Sequence, residues 1–404
     1  MQTPLVTARS NPRPLTLRVL SAISEVEEAA WDALLAPAAP PFVRWRWIHA
    51  LEDSGSASVK TGWEPRHLTL WSGETLIAAA PAYRKFHSMG EYIYDFGWAH
   101  AAEQLGVDYY PKLLLAVPLS PATAPRFLVA PAEDAQALTR LLAEAAESLA
   151  REMECSSLHI LFPPEREVTA LEPQGLLRRA TLQFHWHNPG YTSYEAFLSR
   201  FNAKRRHQLK RERAAAGEQG IAITTHTGAA LTPKHALLAY KFYEATTRRK
   251  SWGAVQLNRG FFERVFRWMP EQVELVEATR GGETLAGAFN LRTKTHLYGR
   301  YWGAFEDVPF LHFNVCFYHS IETCIAEGRT VFEPGAGGEH KMARGFEPTV
   351  IHSLHRIFNA PLQKAIARSV VREREAVEAE AAEALAATGM RPWDEVKPPL
   401  EPKS

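Results

Sequence analysis

Charge of one sign is what this chain most plainly lacks. Across 404 residues, 46 Lys and Arg face 45 Asp and Glu, a formal net charge of +1. That balance argues against a fold that grips nucleic acid over its whole surface, so any basic contact has to be local. Cysteine is scarce too. Cys155, Cys316 and Cys324 show no C-x-x-C spacing and are too few for a disulfide framework, which suits a reducing compartment. Apolar residues never gather into the run of about 18 that a membrane span needs. The opening MQTPLVTARSNPRPL sets prolines where a secretory signal would carry its apolar stretch. A cytoplasmic protein is the expectation. No G-x-S-x-G elbow supports a serine hydrolase and no G-x-G-x-x-G supports a dinucleotide site. The pairs His185/His187 and His352/His355 lack third and fourth partners, so no metal is expected.

What the chain does contain is repetition. Its length is large for one core and suggests two domains or a duplicated unit. GETLIAAAPAYRK (73–85) aligns without a gap to GETLAGAFNLRTK (282–294), sharing Gly, Glu, Thr, Leu, an Ala and the final Lys. Each follows a strand-like segment, RHLTLW or VELVEA, and so predicts a β-hairpin. Downstream, EYIYDFGWA (91–99) and HLYGRYWGA (296–304) read as aromatic strands, followed by apolar helices near 135–151 and 312–327. Strands ending in proline close both units, SLHILFPPE and RTVFEPGAGG. Upstream of each hairpin lies a helix rich in Trp and Phe, 45–55 and 259–269. This order predicts a duplicated α/β unit with halves at 15–185 and 186–365. A basic helix over 198–216 lies between the hairpins, and residues 366–404 form a charged helical tail with a disordered end.

Chemistry concentrates at VFEPGAGGEHKMARGF (331–346). Gly337 and Gly338 permit left-handed backbone and close approach to a ligand. Glu339 and His340 follow as candidate proton acceptors, and Lys341 and Arg344, one helical turn apart, as anion contacts. In LYGRYWGA, alternation puts Arg300 and Trp302 on one face of a strand. Asp95 and Trp98 occupy the matching stretch of the first half. Arg249 and Trp252, in RRKSWG, sit where a loop follows a helix. The basic helix can meet tRNA, an anionic membrane surface, or solvent alone.

FEPGAGGEHKMARGFEPT, LYGRYWGA, RRKSWGAVQLNRGFF and YYPKLLLAVPLSPATAPRFL resemble the Fem-type branch of the GNAT fold. They are similar to a bacterial family labelled FemAB-like, for peptidoglycan biosynthesis or recognition, a predicted N-acyltransferase. The resemblance covers roughly residues 15–365. It implies two GNAT-like halves, each a mixed, mostly antiparallel sheet flanked by helices. It also implies transfer of an acyl or aminoacyl group to an amine; direct attack with no covalent enzyme intermediate is expected, because no cysteine or serine stands in a nucleophile setting. Acyl-CoA or aminoacyl-tRNA would be the co-substrate, and no cofactor would be tightly bound. The fold's usual pyrophosphate loop has no clear counterpart, and the long helical arm of tRNA-using relatives is reduced to residues 202–216. The alternative is a non-catalytic module that recognises a cell-wall or lipid-linked precursor.

Overall fold

The computed structural model describes residues 14–249, 256–335 and 337–396. Among these, fifteen strands make two sheets. The first half supplies β1 (Leu15–Leu20), β2 (Trp63–Pro65), β3 (His67–Ser72), β4 (Thr75–Ala80), β5 (Ala82–Lys85), β6 (Lys112–Leu115), β7 (Leu128–Val129), β8 (Ser157–Leu161) and β9 (Leu177–His187). The second supplies β10 (Ala222–Thr227), β11 (Val273–Arg280), β12 (Glu283–Arg292), β13 (His296–Ala304), β14 (Val331–Glu333) and β15 (Glu347–Ile357). The small sheet runs β1-β3-β4-β7 and the large one β10-β11-β12-β13-β14-β9-β15-β8-β6-β5-β2. Each half is mixed but mostly antiparallel, with one parallel pair apiece, β6 with β8 and β13 with β14.

Both repeated segments form hairpins, turning at Gly73 and at Gly281-Gly282, where φ is 61°, 61° and 85°. Each carries a bulge at the same place. Leu70 faces Ala78 and Trp71 faces Leu76, while Ala278 faces Ala286 and Thr279 faces Thr284. Gly73 therefore corresponds to Gly281, one residue away from the identity alignment, which pairs it with Gly282. The first hairpin is also bent. Pro65 faces Tyr83 in the register in which Leu68 faces Ala80, and between β4 and β5 stands Pro81, which has no N–H for the ladder. The small sheet peels away at that point.

The halves share strands. β9 and β15 pair from Glu347 opposite His185 to His355 opposite Leu177. β15 also lies beside β8, and β9 beside β14, so each half is completed by the last strand of the other. The division at 185/186 falls inside β9. The two aromatic helices, Trp45–Asp53 and Arg259–Trp268, meet across the halves with the Trp47 and Phe261 rings 5.1 Å apart and buried. Each such aromatic contributes about 1.5–3 kcal/mol on burial.

Residues 91–99 depart from the expected aromatic strand. Tyr92 and Tyr94 take φ of 63° and 50°, and Phe96–Gln104 is helical. The cause arrives on β6: Lys112, fully buried, bonds Glu91 at 2.8 Å and also Asp95, folding this segment inward. The C-terminal part is less free than its composition suggests. The helix Ala360–Ala387 buries Leu362, Ile366 and Val370 across β9 and β15. Trp393 then packs edge-on to Tyr191, 4.8 Å between centroids. No helix among the described residues is long and apolar enough to cross a membrane.

Candidate functional site

β13 and β14 pair in parallel only from His296–Val331 to Tyr298–Glu333. Beyond that β13 continues to Ala304, while β14 gives way to Pro334, and the strands part. Gly299 sits at the vertex, where a Cβ would lie 3.2 Å from Pro334 Cα. The chain beyond β14 turns through Gly335, Gly337 and Gly338, with φ of 86°, 76° and 101°, into the helical turn Glu339–Arg344. Lys341 Nζ donates back to Gly335 O at 2.6 Å and closes the loop on itself.

Two cavities open from this wedge. The smaller, about 250 Å³, is lined by Asn290, Gly299, His312, Gly338, His340 and Lys341 among others. The larger, about 680 Å³, lies between the halves, with Tyr92, Tyr94 and Phe96 on one side and Tyr243 and Thr246 on the other. Both are lined by Arg300, Tyr301, Trp302 and Pro334. The corresponding vertex of the first half is filled by its own chain. Beyond β6 and β8, Ala124 N donates to Phe162 O at 3.2 Å, and buried Arg126 donates to Leu161 O and Ala122 O.

Burial dominates the electrostatics. It lowers the Lys341 ammonium to about 8, with Cys316 opposing, and His312 to about 4, where His340, Lys341 and Arg344 add repulsion. Burial raises Glu333 to about 8, against a hydrogen bond from the Thr123 backbone and the charge of Arg300. Under the cleft wall, burial works against the ionised Asp95, yet the charge and hydrogen bond of Lys112, joined by His159 and Ser88, together hold the carboxyl below its ordinary range. The same burial raises Glu91 to about 7, with Lys112 opposing.

The residues singled out from sequence fall into three groups. Gly337, Gly338, His340, Lys341, Arg300 and Trp302 come together around the wedge. Arg344 lines neither of these two cavities. It is buried, with Nη2 on Glu212 at 2.7 Å, Nε on Tyr318 Oη at 3.0 Å, Nη1 on His340 O at 2.9 Å, and its guanidinium 3.4 Å from the Phe313 ring centre. Glu212 comes from the basic helix Ala203–Glu218, so the expected anion contact is a strut between that helix and the glycine turn. Asp95 and Trp98 also face inward. Asp95 accepts from Tyr109 Oη at 2.7 Å, and Trp98 packs 4.7 Å from His355 beneath Arg179. Trp252 and the side chains of Arg249 and Glu339 lie outside the described residues.

Sequence reasoning passed over Tyr92, Tyr94, Tyr243 and His312. The first two lie in the aromatic run 91–99, whose alternation reads as a strand. Among the described residues, His226, His235 and Glu277 could hold a metal ion, their ligand atoms within 4.8 Å of one another. His235 Nδ1 already accepts from Thr232 N at 3.1 Å, and none of the three lines either cavity.

A model of the FemAB-like family, described as peptidoglycan biosynthesis/recognition, matches residues 22–392. The chain is also similar to the crystal structure of FemX, at 11% identity and a TM-score of 0.51, over 85% of this chain and 98% of that one. A second likeness is to the C-terminal domain of a putative lysylphosphatidylglycerol synthetase from Agrobacterium fabrum. There the identity is 10% and the TM-score 0.51, over 87% and 97% of the two chains. At these identities the likeness is one of fold. No curated protein matches the chain significantly.

Proposed function

From its membership of the FemAB-like family, to which this chain belongs, we propose that it is an N-acyltransferase acting in the cytoplasm. In this reading an amine attacks the acyl carbonyl of an activated donor directly. The amide C–N bond forms as the donor's thioester C–S or ester C–O bond breaks, and the departing thiolate or alkoxide takes up the proton that the amine loses. The observation that carries it is the pair of cavities meeting at Arg300, Tyr301, Trp302 and Pro334. Transfer between two substrates needs two adjoining sites with one shared wall, whereas a module that only binds needs one. The donor's acyl end lies in the small wedge, where the edge of β13 beyond Tyr298 has parted from β14. The amine enters through the larger cleft.

The roles follow from position. Arg300, at the junction, faces the place where negative charge develops on the acyl oxygen. Lys341 supplies a donor from the opposite wall, and its lowered pKa keeps part of it neutral near pH 8. His340, with Glu339 beside it in sequence, takes the amine proton. The donor is acyl-CoA or aminoacyl-tRNA. Support for a polyanionic donor comes from the basic helix, which exposes Lys204, Lys210 and Arg211 to solvent.

The test is a transfer assay with acetyl-CoA and with aminoacyl-tRNA, reading amide product by mass spectrometry across a panel of amines. Product is expected with one donor class, and Trp302→Ala should lower kcat/KM at least about tenfold. His340→Asn should lower kcat about 10²–10⁴-fold with little change in KM. If neither donor is consumed and neither shifts the melting temperature, the reading fails.

A further inference from the structure

Away from both cavities, three elements bring two imidazoles and a carboxylate together. His226 lies on β10, which ends the large sheet, and Glu277 on its neighbour β11. His235 lies in the first turn of the helix Pro233–Arg249, which packs on β12 and β13. His226 faces Leu275 and Thr224 faces Glu277, so His226 and Glu277 are diagonal neighbours on one face of the strand pair. Their Nε2 and Oε2 atoms are 3.1 Å apart. The His235 ring stacks on that of His226, 4.4 Å between centroids and 28° between planes. One ring nitrogen from each histidine and one oxygen of Glu277 all lie within 4.8 Å of one another. All three residues are half-buried.

Distance, charge and orientation suit this set to a metal ion. Ligand atoms about 2.0–2.2 Å from a tetrahedral ion stand about 3.3 Å from each other. His226 and Glu277 already have that separation, and His235 closes on them by a small side-chain rotation. Burial first, and the charge of His226 next, lower the His235 pKa and favour the neutral imidazole that a metal takes. The second oxygen of Glu277 accepts from Thr284 Oγ1, which turns Oε2 toward the histidines. Two hydrogen bonds are given up in exchange. The proton on His226 Nε2 moves to Nδ1, which has no hydrogen-bond partner among the described residues and is free to carry it. His235 Nδ1, which accepts from Thr232 N at 3.1 Å, either becomes the ligand or takes the ring proton toward Thr232 Oγ1 at 3.4 Å.

We propose that His226, His235 and Glu277 form a site for a divalent transition metal, zinc above all, that clips β10 and β11 to the start of the helix Pro233–Arg249. Two nitrogens and one oxygen select zinc, cobalt or nickel over magnesium and calcium, which take oxygen donors. Three protein ligands leave the fourth position to water. The role is mechanical, because the clipped helix carries Tyr243 and Thr246 to the wall of the larger cleft. It stands apart from the transferase reading. The histidines that stand out in the sequence are close pairs, whereas this trio is assembled from three elements and has no spacing to be read.

The test is calorimetric titration of zinc chloride into the untagged full chain after chelator treatment, with melting curves recorded with and without zinc. One equivalent should bind saturably with a Kd below about 10 μM, and magnesium in about a hundredfold excess should not displace it. His226→Gln and Glu277→Gln keep a polar side chain at half-buried positions, and each should weaken binding at least about tenfold. His187→Gln, outside the trio, should titrate as the wild type does. Zinc should raise the melting temperature of the wild type and leave that of His226→Gln unchanged, each protein being compared with its own zinc-free curve. Amide exchange over residues 222–240 should slow with zinc. Absence of a saturable equivalent overturns the inference. So does equal zinc affinity in His226→Gln, Glu277→Gln and the wild type, which would place the ion on other histidines. Exchange over 222–240 that zinc leaves unchanged overturns the clip.

Discussion

The strut joining the basic helix to the glycine turn gives the sharpest test of how this site is held. Glu212 is 2% exposed and Arg344 7%. The carboxylate accepts from Arg344 Nη2 at 2.7 Å, from Gln208 Nε2 at 2.8 Å and from Tyr318 Oη. Glu212→Gln keeps the shape and removes the charge. Breaking one side of a buried pair costs about 3–5 kcal/mol, because the remaining charge stays out of water. Arg344 keeps its bonds to Tyr318 and His340 O, so a loss of about 2–4 kcal/mol is expected here.

Replacing both partners, as Glu212→Gln with Arg344→Met, should cost less than the sum of the single changes, by a coupling of about 1–3 kcal/mol. Burial opposes ionisation of Glu212, but bonds from Tyr318 and Gln208 and the charge of Arg344 together lower its pKa. A carboxylate with a lowered folded pKa contributes stability above its unfolded value. That contribution is lost as pH falls through the folded one. The coupling should therefore be full at pH 7 and fade in acid. Chemical denaturation of the four proteins of the cycle measures it. A coupling below about 0.5 kcal/mol, or one that survives full acidification, would refute the strut.

Two further outcomes are expected. His159 and His355, joined Nδ1 to Nδ1 at 2.6 Å where β8 meets β15, are held neutral by burial, His159 down to about 3 and His355 well below its ordinary value. Their lowered pKa leaves stability intact above pH 6.5 and erodes it below, by about 1.4 kcal/mol per pH unit for each ring. A variant lacking both should lose less stability than the wild type between pH 7.5 and 5.5, and equal losses would contradict the assignment. Gly303→Ala should destabilise by about 2 kcal/mol or more, since a Cβ there would lie 2.2 Å from Phe242 O and the helix Pro233–Arg249 would have to lift off β13. A melting temperature equal to that of the wild type would show that this helix is not seated as described.

Much of the architecture was legible from local signals. Glycine turns between strand-like runs marked both hairpins, and the apolar spacing of Leu138, Leu142 and Ala146 marked the helix Ala135–Glu152. Asn202, whose side chain accepts from Arg205 N, starts the basic helix as its residue type suggests. The glycine turn of 335–338 was readable as a turn with left-handed residues. Residue identities and bulge positions differ in register by one residue between the two hairpins, because the repeat keeps the bulge geometry and not the position of each identity.

By itself, then, the sequence determined the elements whose cause lies within a few residues: caps, turns, amphipathic faces, and the doubling of one unit. Tertiary structure alone decided the rest. Glu91–Asp95 fold inward because Lys112 reaches them from another strand. Arg344 is withdrawn from the cavity because Glu212, more than a hundred residues earlier, neutralises it. The two cavities meet because β13 and β14 part at Tyr298, bringing rings from both halves around one opening. Each of these depends on a charge or contact between residues distant in the chain, and such pairs leave no periodicity in the sequence to be read.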